Sequence, residues 1–279
     1  MLHRIDGVDT PALLTGPDLL APVRATLAAA FAHRPPGSLD PVLVVPDGPG
    51  WLRADSLADG TRVGDLLASV ALRRRATPHA AAALGWKAYT YALALPAVLG
   101  WASARRVPLL RPSDVVVRLD TTRSVLGLAL RPTVRVAVLR SDPAVRHTDP
   151  ADVVADEAAL LARLRGTLLD AHLTPVLGHI RSATRIGSRT LLGSLASAVA
   201  HALLDAADAL PEPVAGHAEA LLGVLGVRDL VDLVPAPDGG LTVRRRTCCL
   251  AFTLPEAKVC ASCCLRSVRP PPGGRRPFT

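Results

Sequence analysis

Cysteine is absent from the first 247 residues of this 279-residue chain. Aromatic residues amount to 3%, methionine occurs once, and lysine stands only at Lys87 and Lys258, so 30 of the 32 basic residues are arginine. With so few rings the core has to be built from Leu, Val and Ala, and 49% hydrophobic residues suffice for a large one. The shortage of aromatics argues against nucleic-acid binding by base stacking, in spite of a net charge of +8. No G-x-G-x-x-G follows a strand-like run and no P-loop occurs, so neither a dinucleotide nor ATP is indicated. His79, His147, His172, His179, His201 and His217 are scattered without an H-E-x-x-H pattern, and no Ser-His-Asp set or carboxylate pair can be assembled. Met1 to Asp6 opens no apolar signal-peptide core, so a cytoplasmic location is expected.

Long hydrophobic runs are also few. The best one, Ala88 to Ala104, has 17 residues without charge, the lower length limit for a membrane span, and it contains Thr90, Pro96, Gly100 and Ser103. It reads as a buried core helix. No integral span is expected, while peripheral membrane contact stays open.

All five cysteines lie between positions 248 and 264. Cys248-Cys249, ten intervening residues, then Cys260-Ala261-Ser262-Cys263 make the pattern C-C-x10-C-x2-C, with Cys264 directly after it. Thiols gathered so tightly in a chain otherwise free of them suggest a metal or cluster site. A C-x2-C pair converges on one ion across a tight turn, but adjacent cysteines on extended backbone point to opposite faces. They do not make the separated hook of a zinc ribbon. Both reach one site only through a turn, and a two-iron rhomb is a longer object to clasp than one zinc ion. The leading expectation is a [2Fe–2S] cluster held by Cys248, Cys249, Cys260 and Cys263. Zinc, disulfide and free thiols are the alternatives, the disulfide disfavoured in a reducing compartment. Cys264 is either a replacement for Cys263 or a small buried residue.

In these residues the chain resembles the ferric-siderophore reductases of the FhuF type, whose C-terminal signature is C-C-x10-C-x2-C after an Arg and a Ser or Thr, here Arg246-Thr247. Fainter similarity covers Trp86, Tyr89, Tyr91, Pro96 and Gly100, and the segment 188–198. The resemblance implies that the four cysteines carry a [2Fe–2S] cluster passing an electron to Fe(III) in a siderophore, with no catalytic residue needed beyond the cluster. The partners it implies are a ferric siderophore and an external electron donor, ferredoxin-like or a reductase. The family more often has a proline or aliphatic residue where Cys264 stands.

Periodicity predicts helices over 15–32, 62–75, around Trp86, 151–171, 190–209 and 214–225, with Arg34-Pro35-Pro36-Gly37 ending the first. Val115–Leu119, Ser124–Leu130 and Val134–Leu139 read as strands of an antiparallel meander. Helices, then strands, then helices give an α+β fold: an α+β domain over 1–240 with a central antiparallel sheet at 114–140, an Fe–S segment at 241–268, and a disordered basic tail at 269–279. From Arg244 onward eight basic residues face Glu256 alone, which puts seven of the eight net positive charges around the cysteines. Such a field favours a reduced, more negative cluster and attracts anionic partners. Arg181, Arg185 and Arg189 would form one basic stripe on a continuous helix. The function classes are a ferric-siderophore reductase, an Fe–S electron carrier or redox sensor without a siderophore site, and a zinc-stabilised binding module.

Overall fold

The computed structural model describes residues 18–32, 38–119, 126–236, 239–257, 259–260 and 262–267. The predicted stop at 34–37, the start of the predicted strand at Ser124 and the basic tail lie outside them.

Helix α1 (Ala21–Ala30) precedes strand β1 (Leu39–Val44), the two-residue β2 (Leu52–Arg53) and the single turn α2 (Asp55–Ala58). Next come α3 (Val63–Arg74) and α4 (Pro78–Ala104), a 27-residue helix around which the rest is built. Thr77 caps α4 by accepting the Ala80 amide, Pro78 starts it, and Arg105 ends it in the left-handed region at φ 52°. Trp86, Tyr89, Leu93, Leu95, Leu99 and Trp101 are all buried, so the helix is covered on every side. A helix apolar all round belongs in a core or a membrane. Here α1, α3 and α7 (Ser188–Asp205) pack against it, and no helix among the described residues is long and apolar enough to cross a membrane. Gly100 is where α4 passes closest to the chain that follows it: a Cβ there would lie 2.5 Å from the Arg106 carbonyl oxygen and 2.9 Å from Val23.

After α4 the strands β3 (Arg106–Pro108), β4 (Val115–Arg118), β5 (Gly127–Leu130), β6 (Val136–Leu139) and β7 (Val153–Val154) fall into two sheets, β1-β5-β4-β2 and β3-β6-β7. The α+β class is as expected, but the simple meander is not. β4 and β5 pair antiparallel, whereas β6 leaves to pair antiparallel with β3 and parallel with β7. The link Arg131–Arg135 explains the departure. Arg131 is held by the Asp47 carboxylate and the Ser113 carbonyl, and Arg135 donates to Asp152, so the chain is turned out of the first sheet before β6 begins.

The helix expected from 151 starts at 157, because Asp156 caps α5 (Glu157–Leu164) through the Ala159 amide. It runs on through a π-helical stretch, Arg165–Leu173, into α6 (Thr174–Thr184). That stretch carries His172, wholly buried against α4. Its Nδ1 lies 2.8 Å from the Leu110 carbonyl oxygen and its Nε2 2.5 Å from the Tyr89 hydroxyl. A carbonyl only accepts, so Nδ1 bears the proton and Nε2 accepts from Tyr89. Burial pushes the imidazole down to about 4, against a partial counter-effect from the Leu110 bond. The unfolded chain therefore takes up a proton from about pH 6.5 downward that the folded chain refuses until about pH 4. Stability falls with pH across that window, by roughly 3 kcal/mol in full, and is flat in this group above it. Urea unfolding at pH 7 and pH 4.5 should show the loss in the wild type and a smaller one in His172→Asn. Equal losses in both would remove His172 from the account.

α7, α8 (Val214–Val224) and the hairpin β8 (Val231–Pro235)–β9 (Leu241–Arg245) complete the described fold. The basic stripe does not form. Arg185 is the left-handed cap of α6 at φ 56°, and Arg189 starts α7, paired with Asp229.

Candidate functional site

The cysteines follow directly from β9. That strand packs on α7 and alternates faces, so Val243, Arg245 and Thr247 point inward and are buried while Arg244 and Arg246 point out. Both outer arginines are tied to one carboxylate: Asp232 accepts from Arg244 Nη2 at 3.2 Å and from Arg246 Nη2 at 2.6 Å. The three consecutive arginines therefore have two roles, and part of the charge expected at the cysteines is neutralised by Asp232.

The two cysteine pairs are shaped by turns. After Cys248-Cys249, Leu250 adopts φ 60° and the chain closes into a 3-10 turn, Ala251–Thr253. The Leu250 amide donates to Cys248 Sγ at 3.3 Å. This left-handed residue supplies the irregular backbone that adjacent cysteines need to serve one site. At the second pair the Cys263 amide donates to the Cys260 carbonyl at 3.1 Å, closing a turn, and the Ser262 hydroxyl sits 4.0 Å from Cys260 Sγ. The Arg245 amide donates to the Ser262 carbonyl at 3.0 Å, which joins the two pairs.

The thiols lie against one another. Burial pushes Cys249 up, but the Ala251 amide, the charges of Lys87 and Arg245 and a hydrogen bond with Cys260 outweigh it and leave it below the ordinary thiol value. Burial and then the Cys249 charge raise Cys260. Burial, followed by the charges of Cys248 and Cys263, raises Cys264, which hydrogen-bonds both of them. The structure thus gathers all four predicted residues, and Cys264 as a fifth. Among the described residues no three ligand-type side chains close on a single point as one ion requires. The thiols are instead linked as Cys249 with Cys260 and as Cys248 with Cys264 and Cys263. All five are reduced.

Two features decide whether a sulfur-ligated anionic cluster fits. Arg245 is 1% exposed, and of its three nitrogens only Nη2 has a partner among the described residues, Ser194 Oγ at 3.2 Å. Nε and Nη1, and the neighbouring Thr247 Oγ1, are buried and unpartnered. A buried charge without a counter-ion costs several kcal/mol, and an [2Fe–2S] centre with four thiolates carries about −2. Lys87, from α4, adds a second positive charge that acts on Cys249 and Cys260. The donor set and the surplus positive charge fit the cluster. Sequence reasoning missed Lys87, Ser194 and the inward turn of Arg245. The alternation of β9 was the one available signal, for Arg245 alone, since Lys87 and Ser194 reach the site through the tertiary packing of α4 and α7.

Outside the cysteines, Arg73, Arg74 and Arg75 at the end of α3 line a cleft of about 140 Å³ with Leu254, Pro255 and Glu256 of the loop between the two pairs. Arg73 also borders a broad open groove of about 780 Å³ lined by Trp51, Arg62, Ser69 and the 83%-exposed Leu72.

Residues 86–230 match the family described as ferric iron reductase FhuF-like transporter, and residues 245–265 match the FhuF 2Fe–2S C-terminal domain. No curated protein matches. Among solved structures the chain is similar to the aerobactin synthetase IucA from a hypervirulent pathotype of Klebsiella pneumoniae, at 14% identity and a TM-score of 0.50. The likeness covers 70% of this chain and 37% of that one, and it is a likeness of fold.

Proposed function

The chain belongs to the FhuF-like ferric iron reductase family and carries its 2Fe–2S C-terminal domain, and from that membership we propose that it reduces Fe(III) held by a siderophore to Fe(II). The observation that carries the reading is the clustering of Cys248, Cys249, Cys260 and Cys263 around buried, uncompensated positive charge. Those four residues would hold the cluster, which when bound supplies one electron at a time. Arg245 and Lys87 offset its negative charge, and the αL turn at Leu250 and the Cys260–Cys263 turn hold the thiolates in place. Glu256 and the three arginines of α3 lie on the loop side of the site, where an oxygen-rich chelate of net negative charge is attracted. Trp51 and Leu72 offer the adjoining groove an apolar wall for the chelate's carbon frame. No proton transfer by a side chain is required. Iron leaves because hard oxygen ligands hold Fe(II) less firmly than Fe(III). The electron enters from a one-electron donor protein, ferredoxin-like or a reductase, and the free thiols place the reaction in the reducing cytoplasm.

The test is anaerobic. Protein bleached with a stoichiometric amount of dithionite is mixed with a ferric trihydroxamate and a chromogenic Fe(II) chelator. One Fe(II) per reduced cluster, appearing as the protein's colour returns, is the expected result. Protein that stays bleached with the chelate, yet is reoxidised by a ferredoxin, is a carrier rather than a reductase. A colourless protein containing zinc would sink both readings.

A further inference from the structure

We propose that Arg245 is the cluster's internal counter-ion, the residue that sets its reduction potential and whose burial the folded chain tolerates only when the cluster is present. The proposal rests on the cluster-bearing site described above and concerns potential and stability rather than turnover. Its ground is a mismatch within β9. The inward positions of the strand read Val243, Arg245, Thr247, so a permanently charged guanidinium occupies a position built for an apolar side chain. It is 1% exposed and pairs with no carboxylate; among the described residues only Ser194 Oγ touches it, at 3.2 Å. Its Nε and Nη1 keep their hydrogen-bonding capacity unused. The neighbouring Arg244 and Arg246 share Asp232, and Asp232 pairs with β9 residue 244 on the opposite face, so it does not serve Arg245. What Arg245 does reach is the thiol set. Its charge acts on Cys249, and its amide holds Ser262 between Cys260 and Cys263. A fixed cation in a site of low dielectric favours the more negative oxidation state of whatever anion sits beside it.

Two variants test this. Arg245→Met keeps the stem and removes the charge, and Arg245→Lys keeps a charge. In the loaded protein, Arg245→Met should lower the reduction equilibrium constant at least about tenfold, which is 59 mV for one electron, and Arg245→Lys should recover most of it. In the protein stripped of iron the sign reverses: Arg245→Met should melt higher than the wild type, because an uncompensated buried charge has gone. A loaded Arg245→Met that titrates at the wild-type potential overturns the proposal. So does a stripped Arg245→Met that melts lower, which would make the arginine a structural support. If Arg245→Met fails to take up iron, the stripped-protein comparison alone decides. Potentials are measured with mediator dyes and no ferric chelate, so a protein that fails the siderophore assay still gives a result here.

Discussion

Cys249→Ser is expected to lose the visible absorption of the cluster, whereas Cys264→Ser is expected to keep it. Cys249 is the most buried of the thiols at 3% exposure, and it is the one on which Lys87, Arg245 and the Ala251 amide converge to favour the thiolate. A serine hydroxyl there stays protonated and offers a hard oxygen to iron. The expected loss in iron content exceeds the ~10–100-fold typical of residues that merely support a ligand. Cys264 differs: Cys263 stands before it in the C-x2-C turn, its amide closed onto the Cys260 carbonyl, and Cys264 itself lies past that turn. Iron and sulfide analysis of the purified variants checks both statements. A colourless Cys264→Ser beside a coloured Cys263→Ser would exchange their roles.

The second large effect is expected at Gly193, on the face of α7 that meets the cysteine segment. A Cβ there would lie 2.0 Å from Thr247 Oγ1 and under 3 Å from its Cβ and Cγ2. Thr247 is buried and one residue before Cys248, so it has little room to give. Gly193→Ala should gain up to about 1 kcal/mol of helix propensity and lose more than that to overpacking. Gly193→Val should cost about 3 kcal/mol, the upper part of the range for an overfilled core. Since the displaced segment carries the first cysteine pair, iron occupancy should fall along with the melting temperature. Thr247→Gly combined with Gly193→Ala should restore both. A Gly193→Val protein with wild-type melting and wild-type iron would show that α7 and the cysteine segment separate freely.

The parts legible in the sequence are those where a local pattern had a single physical solution. The charge-free run at 88–104 could only be buried, and α4 buries it. The cysteine spacing sufficed to mark the site, and the family match agrees with the cluster it implied. The failures came where a distant partner decided. Nothing local tells β6 to leave β5. The ion pairs of Arg131 with Asp47 and Arg135 with Asp152 do that, across sequence separations that periodicity does not sense. The count of basic residues after 244 treated three arginines alike, but Asp232 takes two of them and the core takes the third. Lys87 is far from the cysteines in sequence and near them only through the packing of α4.

The π-helical stretch has a consequence for chain length. Its i→i+5 bonding accommodates more residues per turn than an α ladder would. Removing one residue near Gly166, where a Cβ would meet nothing within 4 Å, costs little in packing at the site of the deletion itself. It would nevertheless turn every later position of the helix by about 100° relative to α5. His172 would then leave Tyr89 and Leu110, and Ile180 and Thr184 would leave the core. The length of this surface-reaching segment is therefore fixed by a hydrogen bond in the interior, and single-residue deletions between 165 and 171 should be among the least tolerated in the chain.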